Sequence, residues 1–98
     1  MKTKENVLST IQSHQQQIAR FGVKDIGLYG SYARNEQTLE SDIDLLVDFE
    51  PGYETFDNYM ALGDYLEQLF ANKNVEIVTK SGLSPYIGPK ILEEVVYA

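Results

Sequence analysis

Two short motifs in this sequence carry side chains that could do chemistry together. Gly30 and Ser31 follow an apolar run, and after a ten-residue spacer Asp42 and Asp44 open a second apolar run. Glycine lets the backbone turn sharply and approach a ligand closely, and serine adds a hydroxyl and a backbone N–H for an anion. Carboxylates are the ligands that magnesium takes together with substrate phosphates. The order predicts a loop that holds a triphosphate beside a strand that holds divalent metal.

Each motif is a weak signal when it is taken alone. Asp-x-Asp is common at strand starts as a pair of solvated acids, and Gly-Ser is an ordinary turn with a serine N-cap. Together they supply phosphate donors and metal carboxylates at adjacent strand ends, which favours the functional interpretation. Arg34 is a further candidate for contact with a phosphate or a partner. It could equally be an arginine that is simply exposed to solvent in a loop.

Three apolar runs predict the strands that position these motifs. The predicted strands are 24–29, 42–49 and 75–79. Because side chains alternate along a strand, Asp42 and Asp44 share one face and lie about 7 Å apart at the backbone. Carboxylates that converge at this spacing can bracket one or two hard cations, and magnesium fits best.

Helices are predicted between and around these strands. An apolar stripe that steps by three and four residues from Val7 to Phe21 predicts one amphipathic helix ended by Gly22. Further helices are predicted over 31–35, from the N-cap Thr55 to residue 70, and over 89–96, where Pro89 takes the first helical position. The alternation predicts an α/β (α+β) fold, with a small mixed sheet of three or four strands packed against helices, as one domain over residues 1–98.

Composition excludes several other kinds of site. The 98 residues carry a net charge of −7, no cysteine and one histidine, His14, which excludes cysteine-ligated zinc, disulfides and multi-histidine metal sites. Residues 35–72 contain no Lys or Arg but most of the acidic residues, and this negative field repels nucleic-acid phosphates. The sequence shows no signal-peptide core and no membrane-spanning apolar run. We therefore expect a cytoplasmic protein that binds neither free nucleic acid nor membrane.

The segment GSYARNEQTLESDIDLLVDFE, residues 30–50, resembles the signature of the minimal nucleotidyltransferase (MNT) domains of the polymerase-β superfamily. The similarity continues through Pro51-Gly52, the run 73–79 and the ending 83–97, so it covers nearly the whole chain. Similar proteins are the MntA-type antitoxins of HEPN/MNT toxin–antitoxin systems. The resemblance implies the nucleotidyltransferase fold and transfer of AMP from ATP to a tyrosine of a HEPN-domain toxin. This transfer would release pyrophosphate and silence the RNase activity of the toxin.

The resemblance also implies roles for individual residues. Gly30 and Ser31 would hold the triphosphate of ATP, with Arg34 as an added contact. Asp42 and Asp44 would bind two magnesium ions and so form the catalytic centre.

Two positions depart from the usual family pattern. The third carboxylate of the family, most often Asp, matches Glu76, which would ligate metal or help to deprotonate the attacking hydroxyl. Asn35 stands where the family usually has glycine, and asparagine tolerates a positive φ there.

Two alternatives to catalysis on a protein remain open from the sequence. The chain could neutralise its toxin by forming a complex without catalysis, or it could transfer a nucleotide to a small hydroxylated molecule. The four intact motif residues favour an enzyme over a complex alone. The short chain, with no second domain expected to hold a small substrate, favours a protein acceptor.

Overall fold

The computed structural model describes residues 2–71 and 73–98, which form a four-stranded sheet flanked by helices. In chain order the elements are α1 Lys4–Ser13, α2 Gln15–Ala19, β1 Val23–Tyr29, α3 Gly30–Ala33, β2 Ile43–Phe49, α4 Phe56–Leu69, β3 Val75–Thr79, a 3₁₀ turn Lys80–Gly82, α5 Gly88–Glu94 and β4 Val96–Tyr97. The predicted mixed sheet packed against helices is confirmed. Within the described residues, no helix has both the length and the apolar character needed to cross a bilayer.

The sheet is mixed and has the strand order β3-β2-β1-β4. β1 pairs antiparallel with β2 and β4, whereas β2 and β3 run parallel and are connected through α4. A parallel pair needs a crossover of this kind, because the chain must return to the same end of the sheet before the next strand begins. The pairings bring the end of β1 and the starts of β2 and β3 to one end of the sheet.

One face of the sheet forms the main core against the helices. Leu28 pairs with Leu45 and Leu45 pairs with Ile77, so these three side chains lie next to one another on this face. The buried helical side chains of the same cluster are Val7, Ile11, Ile18, Leu62, Leu66 and Phe70. Full burial of such a side chain stabilises the fold by about 1.5–3 kcal/mol. This core therefore fixes the position of the sheet, whose opposite face carries the polar residues.

The opposite face of the sheet carries Asp44 and is only partly covered. Leu46, on this face of β2, is 1% exposed but lies outside the main core cluster, as does Ile91 of α5. Val78 of β3 lines a cavity together with Leu83 and Ile91. The segment from Leu83 to the end of α5 therefore packs over this second face and leaves its acidic end accessible.

The predicted single helix from Val7 to Phe21 is wrong, because the structure has two helices with a break at His14. The His14 backbone has φ −118° and ψ 21°, and its Nδ1 donates a hydrogen bond of 2.8 Å to the Thr10 carbonyl oxygen. A side chain that bonds the backbone in this way competes with the helical hydrogen-bond pattern. Gly22, with φ 84°, lies in the turn that follows α2.

The last predicted helix ends earlier than expected. Val95 has an extended backbone with φ −63° and ψ 136°, and Val96–Tyr97 forms β4 against Gly27 and Leu28 of β1. β-Branched and aromatic residues favour a strand, and the edge of β1 offers a partner for it. The other predicted elements are present with bounds that shift by at most two residues.

Substitutions at two glycines are expected to change stability in opposite directions. A Cβ at position 27 would lie 2.5 Å from Val95 Cγ2 and 3.2 Å from the Val96 carbonyl oxygen, so Gly27→Ala forces β4 away from β1. We expect this substitution to lower the free energy of unfolding by about 1–3 kcal/mol. Gly63→Ala, within α4, meets only Ile77 Cδ1 at 3.8 Å and should raise it by about 0.5–1 kcal/mol. Urea unfolding measures both, and two changes of the same sign would contradict this account of the packing.

Candidate active site

Three polar side chains form a row across the sheet at the end where β1 stops. Tyr29 of β1 pairs with Asp44 of β2, and Asp44 pairs with Glu76 of β3. Directly paired residues project to the same face, so the phenol and the two carboxylates are neighbours on the face opposite the core. Asp42 lies one residue before β2 and is half-buried. The structure therefore brings the predicted carboxylates to one end of the sheet.

The Gly30 turn packs directly against the Asp44 carboxylate. Gly30 has φ 77°, and a Cβ at this position would overlap Asp44 Oδ2. Glycine is required here for two reasons, because other residues resist this φ and because their side chains would displace the carboxylate. The two motifs that the sequence predicts to act together are thus in contact.

α3 contributes individual anion donors rather than a long helix dipole, because it is a single turn from Gly30 to Ala33. The available groups are the Gly30 N–H, the half-buried Ser31 and the guanidinium of Arg34, which ends the helix. Asn35 follows with φ 58°, and the expectation that asparagine takes a positive φ there is confirmed.

Arg34 is held between two carboxylates. Its Nε donates a hydrogen bond of 2.9 Å to Glu36 Oε1, and its Nη1 donates to Glu94 Oε2 at 2.9 Å and Oε1 at 3.2 Å. The Gly30 N–H donates to the same Glu94 Oε1 at 3.1 Å. Glu94 therefore belongs to the site, although it lies 64 residues after Gly30 in the chain. No spacing or periodicity in the sequence marks it.

Lys73 fixes the loop that leads to Asp42. Its Nζ donates hydrogen bonds to the carbonyl oxygens of Leu39 at 2.8 Å and Ser41 at 3.2 Å. The Ile43 N–H donates to the Asn74 carbonyl oxygen at 2.9 Å, so the starts of β2 and β3 are tied together. Lys73 belongs to no motif, and its one signal in the sequence is that it is the first cation after the acidic stretch 35–72.

Burial and neighbouring charge alter the ionisation of the row. Burial raises the pKa of Asp44 to about 6, and the charges of Glu76 and Asp42 add to the effect. Burial likewise raises the pKa of Tyr29 to about 12, with further contributions from Asp44, Glu76 and Glu94. Tyr29 is therefore a neutral phenol at neutral pH and suits a hydrogen-bond donor rather than a nucleophile.

The described residues offer an open metal site rather than a closed one. In 2–71 and 73–98, no group of three or more His, Cys, Asp or Glu side chains is arranged to hold a metal ion without help. Magnesium in proteins is usually held by one or two carboxylates together with substrate phosphates. Burial, followed by the charges of Glu76 and Asp42, raises the Asp44 pKa, and a cation beside Asp44 would oppose these effects. Two carboxylates such as Asp42 and Asp44 thus have the chemistry for a magnesium ion that is shared with a phosphate, and Glu76 does not complete a three-carboxylate site with them.

A cavity of about 460 Å³ opens beside the row of polar side chains. Its polar wall contains Tyr29, Gly30, Arg34, Glu76, Lys90 and Glu94, and its apolar wall contains Val78, Leu83, Ile87 and Ile91. Small-molecule sites have volumes of about 300–1,000 Å³ and combine apolar walls with a few polar groups in this way. Ser31, Asp42 and Asp44 do not line the cavity, but Tyr29 and Glu76, the strand partners of Asp44, do.

Asp44→Asn is expected to stabilise the ligand-free protein in a pH-dependent manner. Because the pKa rises from 3.8 to about 6 on folding, the carboxylate destabilises the fold progressively from about pH 4, fully above about pH 6, and not at all once both states are protonated. We expect a gain of about 1 kcal/mol near pH 7.5, after allowance for solvent screening, that disappears near pH 3. Urea unfolding of the wild type and Asp44→Asn at the two pH values measures this change in the free energy of unfolding.

Asp64→Asn is the matched control, because it removes the same charge from an exposed position on α4. It should change the free energy of unfolding by less than about 0.5 kcal/mol at either pH. A gain for Asp44→Asn that persists unchanged at low pH would contradict the electrostatic origin of the effect.

Comparisons with known proteins show the family of this chain. The family model of the nucleotidyltransferase domain matches residues 10–98. The protein adenylyltransferase MntA of Thermococcus cleftensis is 41% identical over 98 residues, which cover 99% of this chain and 97% of that protein.

Solved structures show the same fold. One that is assigned to the minimal nucleotidyltransferases has a TM-score of 0.82 at 33% identity, and the match covers 97% of this chain and 95% of that one. A toxin–antitoxin crystal structure with AMP-PNP shares the fold, with a TM-score of 0.69 at 19% identity over 88% of this chain and 70% of that one. The Gly30 turn that packs against the Asp44 carboxylate therefore lies in a protein of known family: the chain belongs to the nucleotidyltransferase domain family and has the minimal nucleotidyltransferase fold.

Proposed function

We propose that this chain is a protein adenylyltransferase that acts as an antitoxin in the cytoplasm. It transfers AMP from ATP to a tyrosine of a cognate HEPN-domain RNase toxin, releases pyrophosphate and thereby silences the toxin within a hetero-oligomer. The observation that carries this proposal is the contact between the Gly30 turn and Asp44, which sets phosphate donors beside carboxylates. The name of the MntA relative supports a protein acceptor, and the toxin–antitoxin structure with AMP-PNP supports a toxin partner and ATP.

The nucleotide is held by groups on α3 and by the carboxylates. The Gly30 N–H, Ser31 and Arg34 take the β- and γ-phosphates, because they are the donors at the turn. Asp42 and Asp44 would hold two magnesium ions, which would neutralise phosphate charge and polarise the α-phosphate, and Glu76 would stay free to accept a proton. Without cations, the acidic row would repel a triphosphate.

The transfer step is a displacement at the α-phosphorus. The tyrosine oxygen of the acceptor forms a bond to this phosphorus as the bridging bond to the β-phosphate breaks, and pyrophosphate leaves with its charge held at Gly30 and Arg34. The phenolic proton passes to Glu76, which is exposed and lies in the cavity wall. The rigid turn keeps the leaving group in line with the attacking oxygen.

The surface around the cavity suits a macromolecular acceptor. Ile87, which lines the cavity, is 60% exposed, and Tyr86, its neighbour in the chain, is 91% exposed. Exposed aromatic and large apolar side chains that are surrounded by polar groups are typical of protein interfaces. The net charge of −7 complements a basic surface such as an RNase needs to bind RNA. These features favour a protein over a small hydroxylated molecule as the acceptor.

The central test is AMP transfer to the product of the adjacent gene. Incubation of the two proteins with ATP and Mg²⁺ should add AMP to a tyrosine of the partner, detected by intact-mass and peptide mass spectrometry. Asp42→Ala/Asp44→Ala should lower the transfer rate by on the order of a thousandfold or more, because charge neutralisation at the phosphates is the main catalytic contribution.

Asp25→Ala/Asp64→Ala serves as the control, since it removes two exposed carboxylates outside the site. It should transfer AMP at the wild-type rate. If Asp42→Ala/Asp44→Ala still protects cells from the toxin as an unmodified complex, the antitoxin acts sterically and the catalytic proposal is wrong. AMP found only on a small molecule would identify a different acceptor class.

Substitutions at Glu76 test its role as proton acceptor. Glu76→Gln keeps the size of the side chain but cannot accept the phenolic proton, and we expect about a hundredfold lower transfer rate at neutral pH. The acidic limb of the pH–rate profile should flatten in this variant, whereas Glu76→Asp should keep that limb. Glu67→Gln, on the exposed surface of α4, is the control. An unchanged profile in Glu76→Gln would exclude Glu76 as the base.

A further inference from the structure

Glu94 contacts two of the groups that we assign to the nucleotide phosphates. Its Oε1 accepts the Gly30 N–H at 3.1 Å and Arg34 Nη1 at 3.2 Å, and its Oε2 accepts the same Nη1 at 2.9 Å. The Glu94 side chain is 19% exposed, whereas that of Arg34 is 44% exposed. A carboxylate of this chain therefore makes the contacts that a phosphate would need.

Carboxylates and phosphates use the same kind of contact with such donors. Both accept paired hydrogen bonds from a guanidinium, and both accept backbone N–H groups. The single proton of the Gly30 N–H cannot be shared at full strength between Glu94 and a phosphate. Glu94 is also ionised: burial opposes its charge, but the hydrogen bonds from Arg34 and Gly30 outweigh burial and lower its pKa.

We propose that Glu94 is an internal competitor of the nucleotide, which holds Gly30 and Arg34 in the nucleotide-free protein and leaves when the phosphates bind. This inference rests on the proposed nucleotide-binding function of the site. Glu94 is the last residue of α5, and the chain continues through Val95 into β4. Nucleotide binding therefore releases the C-terminal end of α5, the helix that forms part of the cavity wall.

If Glu94 supported nucleotide binding and did not compete with it, its removal would lower the nucleotide affinity. If Glu94 only oriented Arg34 towards the nucleotide, its removal would disorder the guanidinium and weaken binding. The geometry favours competition, because Glu94 occupies the Gly30 N–H as well as Arg34 Nη1. A residue that merely positions Arg34 has no need of the backbone donor.

Nucleotide affinity measures this competition directly. We expect Glu94→Gln to bind AMP-PNP with Mg²⁺ about three- to tenfold more tightly than the wild type by calorimetry, because the binding-competent state no longer has to displace a charged ligand. Glu93→Gln makes the same charge change at an exposed position on the same helix and should stay within about twofold of wild type. Thermal unfolding checks that each variant is folded.

A second comparison separates competition at Arg34 from general charge repulsion. In an Arg34→Gln background, Glu94→Gln should improve affinity by less than it does in the wild type. In the wild type, AMP-PNP with Mg²⁺ should also speed amide hydrogen exchange over residues 91–95. Both results support displacement of Glu94 from its partners.

Three outcomes would overturn the inference. A folded Glu94→Gln variant that binds AMP-PNP no more tightly than wild type overturns it while leaving the proposed function intact. If Glu94→Gln improves affinity as much in the Arg34→Gln background as in the wild type, Glu94 acts only through long-range charge repulsion, and the inference is wrong. If neither wild type nor Glu94→Gln binds AMP-PNP, the proposed function and the inference fail together.

Discussion

The contact between the Gly30 backbone and the Asp44 carboxylate is the constraint on which the rest of the site depends. The carboxylate occupies the space that any other side chain at position 30 would need, and the turn requires a φ of 77° that glycine adopts freely. The antiparallel pairing of β1 and β2 places Asp44 opposite Tyr29, immediately before this turn. The parallel pairing of β2 and β3 then places Glu76 on the other side of Asp44. One close approach and two strand registers thus assemble a site from three separate parts of the chain.

This arrangement makes the ligand-free site electrostatically unfavourable. Asp44 is half-buried beside Glu76 and Asp42, and its raised pKa of about 6 reflects burial and these like charges. The opposite face of the sheet offsets the cost with a continuous apolar core that needs no polar groups from the site. Side chains alternate between the two faces of each strand, so binding and stability are separated. The acidic face can bind cations and phosphates, and the apolar face stabilises the fold.

Local sequence signals predict much of the fold. Thr55 is identified as an N-cap because it precedes an apolar stripe, and its hydroxyl accepts the Asn58 N–H at 3.1 Å. The bounds of β3 are predicted from a short β-branched run between polar segments. The break at His14 is missed because the apolar stripe continues through it, and periodicity records which face is buried rather than whether the backbone is continuous. β4 is missed because a two-residue strand exists only by pairing with β1.

Some residues of the candidate site could likewise be predicted from local sequence, and others could not. Gly30, Ser31 and the Asp-x-Asp carboxylates are close in sequence, so their spacing marks them, and Glu76 follows from the strand order that the family resemblance implies. Glu94 has no such signal, because its role arises from contact across 64 residues and not from its neighbours in the chain. Residues that act through tertiary contact alone are invisible to motif spacing, and here they include Glu94 and Lys73.

If Glu94 must leave for the phosphates to bind, the site also links nucleotide binding to partner docking. The C-terminal part of α5 lines the cavity on which Ile87 forms an exposed rim, so a shift of α5 changes the surface that an acceptor would contact. Coupling between two binding events is reciprocal. A partner that draws α5 away from Gly30 would strengthen nucleotide binding. The nucleotide would strengthen partner binding by the same factor. The competition at Gly30 and Arg34 would then favour ATP binding when the acceptor is already in place, which protects the nucleotide from unproductive hydrolysis.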